Sequence, residues 1–386
     1  MLNINECTGC SACYASCPVD AIKLEENREG FLYPIIDEKL CMNCGMCDKM
    51  CPLNNVSPFI NEPTMAFFGY ANDEKIISKS SSGGIFSILA EKVLKSEGIV
   101  FGCSMSNDCK TAQHISIKSL DELSELTGSK YIQSDVKDTF REAKEALLSG
   151  KTVLFSGTPC QIAGLRTFLG DKEYKNLLLV DVVCHGTPSP YVWKKYIEEK
   201  ERDMNKKIVH VSFRDKTHGW KKYSLKLAYS DGTEELTPVT DNLYLKGFIN
   251  NYYLRNSCYN CQFKNKNYYS DLTLGDYWGI EEKKLSYKDS KGVSIVISNS
   301  NKGLYFLDKI KNDCYLQKVD LKDALEKNPS YFSSVTKNHI REFIIDEIYN
   351  KGAIKTLNKY CGYSIFSKIV RKYYKFLSFK QRSDKS

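Results

Sequence analysis

The sequence lacks several features that mark particular classes of protein. No apolar run approaches the ~18 residues that a membrane-spanning helix needs, and the first residues show no charged stretch followed by an apolar one, so no secretory signal peptide is expected. Only five histidines are present, and neither a Ser/His/Asp constellation nor a G-x-G-x-x-G dinucleotide fingerprint emerges. The sequence therefore predicts a cytoplasmic protein with reduced thiols.

Excess charge is also missing from most of the chain. The net charge of +8 is concentrated after residue 350, where ten Lys or Arg stand against one Asp. The rest of the chain is close to neutral, so we expect no nucleic acid as a partner. The basic stretch also carries aromatic residues. It could dock a catalytic partner subunit or a membrane surface, or be a packed helix with a solvated lysine face.

Cysteine, in contrast, is abundant, with 16 in 386 residues. Eight form two runs of C-x2-C-x2-C-x3-C-P, the spacing of ferredoxins that carry two [4Fe-4S] clusters. One tight loop supplies three thiolates to a cubane, and the last cysteine of each run normally binds the other cluster. We therefore predict two clusters, bound by two ligand sets: Cys7, Cys10, Cys13 and Cys51, and Cys41, Cys44, Cys47 and Cys17. Structural zinc sites and disulfides are the alternatives.

The pattern changes after a linker with two prolines. Strand-like and helix-like stretches then alternate, which indicates βα units and a mainly parallel sheet with helical cover. The predicted fold class is α+β, with an N-terminal 2[4Fe-4S] ferredoxin module, a mixed α/β domain and a helical basic C-terminal tail. The predicted boundaries are 1–55 for the ferredoxin module, 56–64 for the linker, 65–150 and 151–330 for the two parts of the α/β region, and 331–386 for the tail.

Four further cysteines stand where a sheet presents ligands. Cys160 and Cys184 each follow a predicted strand, in SGTPC and CHGTP, and open α/β sheets bind cofactors at the carboxyl ends of their strands. Cys258 and Cys261 form a separate CxxC pair. Together the four thiols could close a third [4Fe-4S] site. A structural zinc, or buried cysteines that act as small hydrophobic residues, are the alternatives.

A glycine-rich turn precedes a predicted helix. Residues 80–84 read SSSGG and lead into the helix from Ile85. Free N–H groups at a helix N-terminus favour an anion, so a flavin pyrophosphate or a phosphate could bind there. An ordinary serine N-cap is the alternative. His185 and His218, each before a glycine, are further candidates to face a cofactor. Asp271 and Asp276 could orient a ligand or cap turns.

The chain resembles the coenzyme F420 hydrogenase/dehydrogenase beta-subunit family in a series of ordered segments: SSSGGIFSILAEKVL, GSKYIQSDV, LFSGTPCQIAGLR, DVVCHGTPSP, CYNCQFKN, SDLTLGDYWG and KGVSIVIS. The resemblance runs from about Met65 to about Ser330, behind the ferredoxin module. It implies a flavin-binding α/β domain that holds FAD and a [4Fe-4S] cluster of its own. It supports the four cysteines above as cluster ligands, and it implies these flavin contacts: Ser82, Gly83, Gly84, Lys130, Gly157 and Thr158.

The resemblance also implies an activity, that of an iron–sulfur flavoprotein oxidoreductase. Electrons would pass between ferredoxin-type clusters and FAD, and to or from a two-electron substrate such as coenzyme F420. The flavin is needed because clusters move single electrons whereas a hydride carries two. The expected partners are a one-electron carrier such as ferredoxin and a small two-electron substrate. Two alternatives stay open: a ferredoxin-linked reductase of a non-deazaflavin substrate, for example in polysaccharide or cell-surface biosynthesis, and an electron-transfer subunit of a larger complex.

Overall fold

The computed structural model describes residues 5–54, 65–170, 172–264, 269–283, 291–369 and 372–373. The predicted linker and most of the basic stretch after residue 369 lie outside these residues. The described part has a small N-terminal module followed by a mixed α/β region. None of its helices combines the length and the apolar character that crossing a bilayer requires.

The N-terminal module consists of two one-turn helices and a hairpin: α1 (Ala12–Ala15), β1 (Ile22–Glu26), β2 (Leu32–Ile36) and α2 (Met46–Lys49). Strands β1 and β2 pair antiparallel. Each helix follows a residue in the left-handed conformation, Ser11 before α1 and Gly45 before α2. Each also contains the third cysteine of its run, Cys13 or Cys47. The sequence repeat is therefore a structural repeat as well.

Twelve further strands follow within the described ranges: β3 (Met65–Ala71), β4 (Ile99–Met105), β5 (Ala112–Ile117), β6 (Ser134–Asp135), β7 (Val153–Gly157), β8 (Leu177–Val182), β9 (Ile208–Asp215), β10 (Ser224–Tyr229), β11 (Glu234–Pro238), β12 (Leu272–Asp276), β13 (Ser294–Ser298) and β14 (Cys314–Val319). Nine of them form one sheet in the order β14-β3-β13-β12-β8-β7-β4-β5-β6. The other three form a separate antiparallel sheet, β11-β10-β9.

The nine-stranded sheet is parallel only in part. The parallel pairs are β12–β8, β8–β7, β7–β4 and β5–β6. The β4–β5, β12–β13, β13–β3 and β14–β3 pairs are antiparallel. Strands β4 and β5 are joined only by 106–111, which is too short for the crossover that a parallel pair needs. The sheet is therefore mixed, with a parallel centre, rather than mainly parallel as predicted.

Twelve helices of the described chain accompany these strands: α3 (Glu74–Lys79), α4 (Ile85–Lys95), α5 (Leu123–Leu126), α6 (Thr139–Leu148), α7 (Pro159–Leu169), α8 (Pro190–Met204), α9 (Leu243–Ile249), α10 (Asn301–Lys309), α11 (Leu321–Leu325), α12 (Pro329–Phe332), α13 (Arg341–Lys351) and α14 (Ala353–Cys361). Alternate residues of β7 pack on opposite faces of the sheet: Leu154 lies in the core that contains α4, and Phe155 in the core that contains α6 and α7. Both faces are thus covered.

A third core joins the small sheet to the C-terminal helices. Leu225 and Leu227 of β10 pack in one cluster with Tyr244 of α9, Ile344 of α13 and Leu357 of α14. All five side chains are buried. Helices α13 and α14 belong to the predicted tail 331–386, and the structure places them inside this core.

A buried ion pair joins the N-terminal module to α13. Arg341, which is 1% exposed, donates from Nη1 to Oε1 of Glu29 at 3.0 Å and from Nη2 to Oε2 of the same carboxylate. Its Nε also donates to the carbonyl oxygen of Leu254 at 2.9 Å. Because Glu29 lies between β1 and β2, this pair fastens the hairpin to the rest of the chain.

We expect Glu29→Ala to destabilise the protein by about 3–5 kcal/mol, because the buried Arg341 loses the carboxylate that binds both of its terminal nitrogens. Among the described residues, only the exposed carboxylate of Glu342, 3.8 Å from Nη1, remains. Asp346→Ala is the matched control. It removes the carboxylate that pairs with Arg28 across the same contact, but those side chains are 55% and 59% exposed, so the cost should not exceed about 1 kcal/mol. Thermal unfolding of both variants measures the difference, and equal losses would contradict this account.

Candidate functional site

A cavity of about 520 Å³ opens at the carboxyl edge of the central parallel strands. The ends of β7, β8 and β12 line it, together with the turn before α4. Open α/β sheets bind their ligands at this edge. The predicted flavin contacts that line the cavity are Ser82, Gly84, Lys130, Gly157 and Thr158. Gly83 is the exception, since it is not among the lining residues.

The glycine-rich turn is pressed against the edge of the sheet. The N–H of Gly83 donates to Oγ of Ser294 at 2.9 Å, and a Cβ on Gly83 would clash with the carbonyl oxygen of Gly69. Gly84, with φ +89°, is the N-cap of α4, and no side chain of the described residues caps this helix. The serine N-cap alternative is therefore wrong, and the first N–H groups of α4 have no side-chain acceptor there.

Lys130 supplies a cation to the wall of this cavity. Its Nζ donates to the carbonyl oxygens of Glu125 at 2.9 Å and Thr127 at 2.8 Å. Burial lowers the pKa of Lys130 to about 8, so the ammonium form still predominates at pH 7. The ammonium group of Lys130 and the uncapped N-terminus of α4 both lie at the cavity wall, and both favour a bound anion.

A series of hydrogen-bonded side chains lines the cavity. Nε2 of His114 lies 3.0 Å from the carbonyl oxygen of Ser156, which can only accept, so this nitrogen carries the proton. Nδ1 then accepts from Oγ of Ser134 at 3.0 Å. Gln161 donates from Nε2 to the same Oγ at 3.0 Å, and its Oε1 accepts from the N–H of Thr158 at 2.9 Å. Burial lowers the pKa of His114 to about 4, which agrees with the neutral ring that this chain requires.

The other four predicted cysteines line a pocket of about 50 Å³ beside the cavity: Cys160, Cys184, Cys258 and Cys261. Three separate parts of the chain contribute them. Cys160 lies in the first turn of α7, Cys184 follows β8, and the CxxC pair lies in and just after the 3-10 turn Asn256–Asn260. The fold therefore brings together thiols that are about 100 residues apart in sequence.

The four cysteines of this pocket are half-buried, and their sulfurs accept few hydrogen bonds. Sγ of Cys258 accepts from the N–H of Thr187 at 3.3 Å, and Oγ1 of Thr158 lies 3.2 Å from Sγ of Cys160. Burial raises the pKa of Cys160 to about 12 and raises the pKa of Cys184 as well. A thiolate here therefore requires a positively charged partner, which a metal centre provides.

The spacing of the sulfurs bears on the kind of metal centre. Within the described residues, no three His, Cys, Asp or Glu side chains gather tightly enough to hold one metal ion. A zinc ion draws its sulfurs to about 2.3 Å, whereas a cubane binds each thiolate at a separate iron corner. All the cysteines are free, so the disulfide alternative is wrong. The four thiols suit a metal centre with thiolate ligands.

In the N-terminal module, Cys51 lies next to the first cysteine loop, residues 7–13. Burial, and to a smaller extent the charge of Cys7, raise the pKa of Cys51. Burial chiefly, with contributions from Cys7 and Cys51, raises the pKa of Cys13 to about 12. The last cysteine of the second run thus lies close to the first loop. Exposure differs along the module, because Cys10 is buried and Cys44 is exposed.

The first cysteine loop also adjoins the four-cysteine pocket. Thr8 lines both that pocket and the large cavity. A Cβ on Gly164 of α7 would lie 2.9 Å from Sγ of Cys10. Burial raises the pKa of Cys10 well above its usual value, and the charge of Cys160 contributes. The first loop and the four-cysteine pocket are therefore neighbours.

Sequence reasoning missed several polar residues of the cavity. His114 and Gln161 carried no local signal, because each acts through partners far away in sequence. Arg214 was missed too; its Nη1 donates at 2.7 Å to Oδ2 of Asp276 on the cavity wall. Of the two histidines singled out from sequence, His185 lines the cavity, whereas His218 is exposed and lines neither the cavity nor the pocket.

Comparison with protein families assigns most of the chain up to residue 324. The model of the 4Fe-4S dicluster domain matches residues 6–55. Two models of the coenzyme F420 hydrogenase/dehydrogenase beta subunit follow: the N-terminal one matches 66–140 and the C-terminal one matches 150–324. Together the two beta-subunit models match more than half of the chain.

The sequence identity to individual relatives is low. The chain is 24% identical over 269 residues to a subunit of the F(420)H(2) dehydrogenase of Methanosarcina mazei, covering 66% of this chain and 71% of the relative. It is 26% identical over 163 residues to coenzyme F420-dependent sulfite reductase of Methanocaldococcus jannaschii, covering 42% of this chain but only 24% of that protein. A chain of the F420-reducing [NiFe] hydrogenase complex from Methanosarcina barkeri aligns with TM-score 0.48 and 15% identity, over 77% of this chain and 96% of that chain.

The neutral, buried state of His114 predicts a pH dependence of stability. Its pKa is lowered from 6.5 to about 4 by burial, so between these values the unfolded chain binds a proton that the folded protein excludes. Stability should therefore be complete above about pH 6.5 and fall by about 3 kcal/mol as the pH is lowered to 4. Urea unfolding across this range should show a shallower dependence in His114→Gln and an unchanged one in His218→Gln, which alters an exposed ring. Equal slopes in all three proteins would refute the assignment.

Proposed function

Because this chain is an iron–sulfur oxidoreductase of the coenzyme F420 hydrogenase/dehydrogenase beta-subunit family, we propose that it links a one-electron carrier to a two-electron substrate through three [4Fe-4S] clusters and one FAD. The clusters carry single electrons, and the flavin exchanges electrons singly or in pairs. The observation that carries the proposal is the convergence of four cysteines beside the first cysteine loop, at the mouth of a large cavity.

The third cluster is proposed on Cys160, Cys184, Cys258 and Cys261. Their support is the shared pocket and the burial that disfavours isolated thiolates. Thr187 would keep its N–H directed at the sulfur of Cys258. The other two clusters are proposed on the two crossed sets of N-terminal cysteines.

Protein groups around this pocket have definite tasks in the proposal. If Cys160 bound metal as a thiolate, its sulfur could only accept. Oγ1 of Thr158, 3.2 Å away, would then turn its hydrogen to that sulfur and away from Oε1 of Gln161, to which it donates at 3.1 Å. Gln161 holds the backbone N–H of Thr158 at 2.9 Å and keeps the threonine in place. Lys264 donates to the carbonyl oxygens of Cys184 and Ser330 at 2.8 and 2.9 Å, and so ties the segment after β8 to α12.

FAD is proposed to occupy the large cavity. Ser82 and Gly84, at the uncapped start of α4, would bind its phosphates, and Lys130 would contribute the positive charge. Gly157 and Thr158 lie between this wall and the four-cysteine pocket, and would direct the bound molecule toward Cys160. Gly83 has a packing role and is not proposed as a contact.

The two-electron substrate is proposed to be a deazaflavin such as coenzyme F420. The support is that both relatives carry F420 in their names. The Arg214–Asp276 pair and the aromatic rings of Tyr223 and Trp278 line the cavity, and these groups suit a planar, polar substrate. The one-electron partner is proposed to be a ferredoxin, and a catalytic partner subunit remains part of the proposal because one relative is named as a subunit.

Metal and flavin analysis tests the cofactor proposal. After anaerobic reconstitution we expect about twelve irons and one FAD per chain, and Cys184→Ser should lose about four irons. Cys314→Ser is the matched control, because this buried thiol donates to the carbonyl oxygen of Ile310 and lines neither the pocket nor the cavity. It should keep all twelve. A wild-type protein with eight irons and no flavin would end the proposal.

Absorbance changes of the bound flavin should identify its redox partners. Reduced coenzyme F420 is expected to bleach the flavin within one turnover, and reduced ferredoxin should do so by way of the N-terminal cysteines. Cys44→Ser should slow the reaction with ferredoxin at least tenfold and leave the reaction with F420 unchanged. If reduced ferredoxin bleaches the flavin and reduced F420 does not, the proposal of a deazaflavin substrate is wrong and the two-electron substrate is another molecule.

A further inference from the structure

A buried arginine touches the first cysteine loop with neutral groups as its main partners. Arg255 is 1% exposed. It donates from Nε to the carbonyl oxygen of Cys7 at 2.8 Å, from Nη1 to Oε1 of Gln133 at 3.0 Å, and from Nη2 to the carbonyl oxygen of Leu32 at 2.9 Å. Nη2 also lies 3.7 Å from Sγ of Cys7. That sulfur alone among these four acceptors can carry a negative charge.

Two other buried arginines of this protein do have carboxylate partners. Arg214 pairs with Asp276 at 2.7 Å, and Arg341 pairs with Glu29. Within the described ranges, no carboxylate lies at ion-pair distance from Arg255. Neutral hydrogen-bond acceptors recover only part of the cost of burying a full charge. A negative charge near Arg255 would offset the cost of burying it, and no carboxylate of the described side chains provides that charge.

Arg255 contacts the first cysteine loop through its guanidinium and the four-cysteine pocket through its backbone. A Cβ on Gly9 would lie 2.9 Å from Nη1, and the ring centroid of Tyr33 is 4.1 Å from Cζ. At the four-cysteine pocket, the backbone carbonyl oxygen of Arg255 accepts from the N–H of Cys258 at 2.9 Å. Arg255 thus lies in contact with both cysteine sites.

We propose that Arg255 is the shared counter-cation of two clusters, the one bound by the first loop and the one in the four-cysteine pocket, and that it raises the reduction potential of both. This inference rests on the proposed function. A [4Fe-4S] centre with four thiolates is anionic, and its reduction by a one-electron carrier protein adds one negative charge, with no bond made or broken. A fixed buried cation stabilises the reduced form more than the oxidised form.

Redox titration of the reconstituted protein, followed by electron paramagnetic resonance, tests this role. In Arg255→Gln, two of the three one-electron steps should shift to lower potential, with the reduced-to-oxidised ratio at a fixed potential falling at least tenfold, which is 59 mV for one electron. Arg255→Lys keeps the charge and should retain most of the wild-type potential. The cluster of Cys41, Cys44 and Cys47 is the internal control, because none of these residues contacts Arg255 in the described structure.

Gln133→Glu tests the same idea without removing the arginine. It places a carboxylate against Nη1, neutralises the local charge and should lower the same two potentials, even if Arg255→Gln fails to bind its clusters. Unchanged potentials in a twelve-iron Gln133→Glu protein, or an equal shift of all three steps, would overturn the inference. A wild-type protein with only eight irons would instead overturn the proposed third cluster, so the two failures are distinguishable.

Discussion

The packing of the first cysteine loop on helix α7 governs how the parts of the site relate. Gly164 presents bare backbone to Cys10, and even one added carbon would lie 2.9 Å from its sulfur. Cys160, in the first turn of the same helix, lines the four-cysteine pocket. Further along, Oγ1 of Thr167 donates to the carbonyl oxygen of Met50 at 2.9 Å, next to the last cysteine of the second run. One helix thereby positions all three cysteine groups.

Burial then imposes a common electrostatic requirement on the site. It raises thiol pKa values in the four-cysteine pocket and lowers the pKa of Lys130 and of His114. Each group is therefore pushed toward its neutral form unless a partner of opposite charge is present. His114 meets this requirement with a chain of hydrogen bonds to a neutral ring, whereas the thiols would gain a partner of opposite charge from the proposed cluster. Cluster binding and folding should accordingly support each other.

The sequence predicted the local features well and the long-range ones poorly. The cysteine runs were informative because three ligands of a cubane come from one tight loop, and the SSSGG turn predicted a helix from Ile85, where α4 begins. The mixed sheet was not predictable, since the position of β3 depends on pairing with strands that lie more than 200 residues later. Gly83 and Gly84 are equivalent in sequence, but only the structure shows that Gly83 packs against Gly69 whereas Gly84 lines the cavity. His114 and Arg255 were missed because their partners come from distant segments.

The strand order also has a consequence for how the chain reaches this fold. Strand β3 is the first of the large sheet to be synthesised, but its two neighbours, β13 and β14, are the last. On the ribosome, β3 therefore emerges with both edges open and waits for most of the chain before it can pair. Such high contact order slows folding and leaves an apolar edge exposed to aggregation. Chaperone assistance, or early docking of helix α4 over Phe68, would protect the nascent chain during that interval.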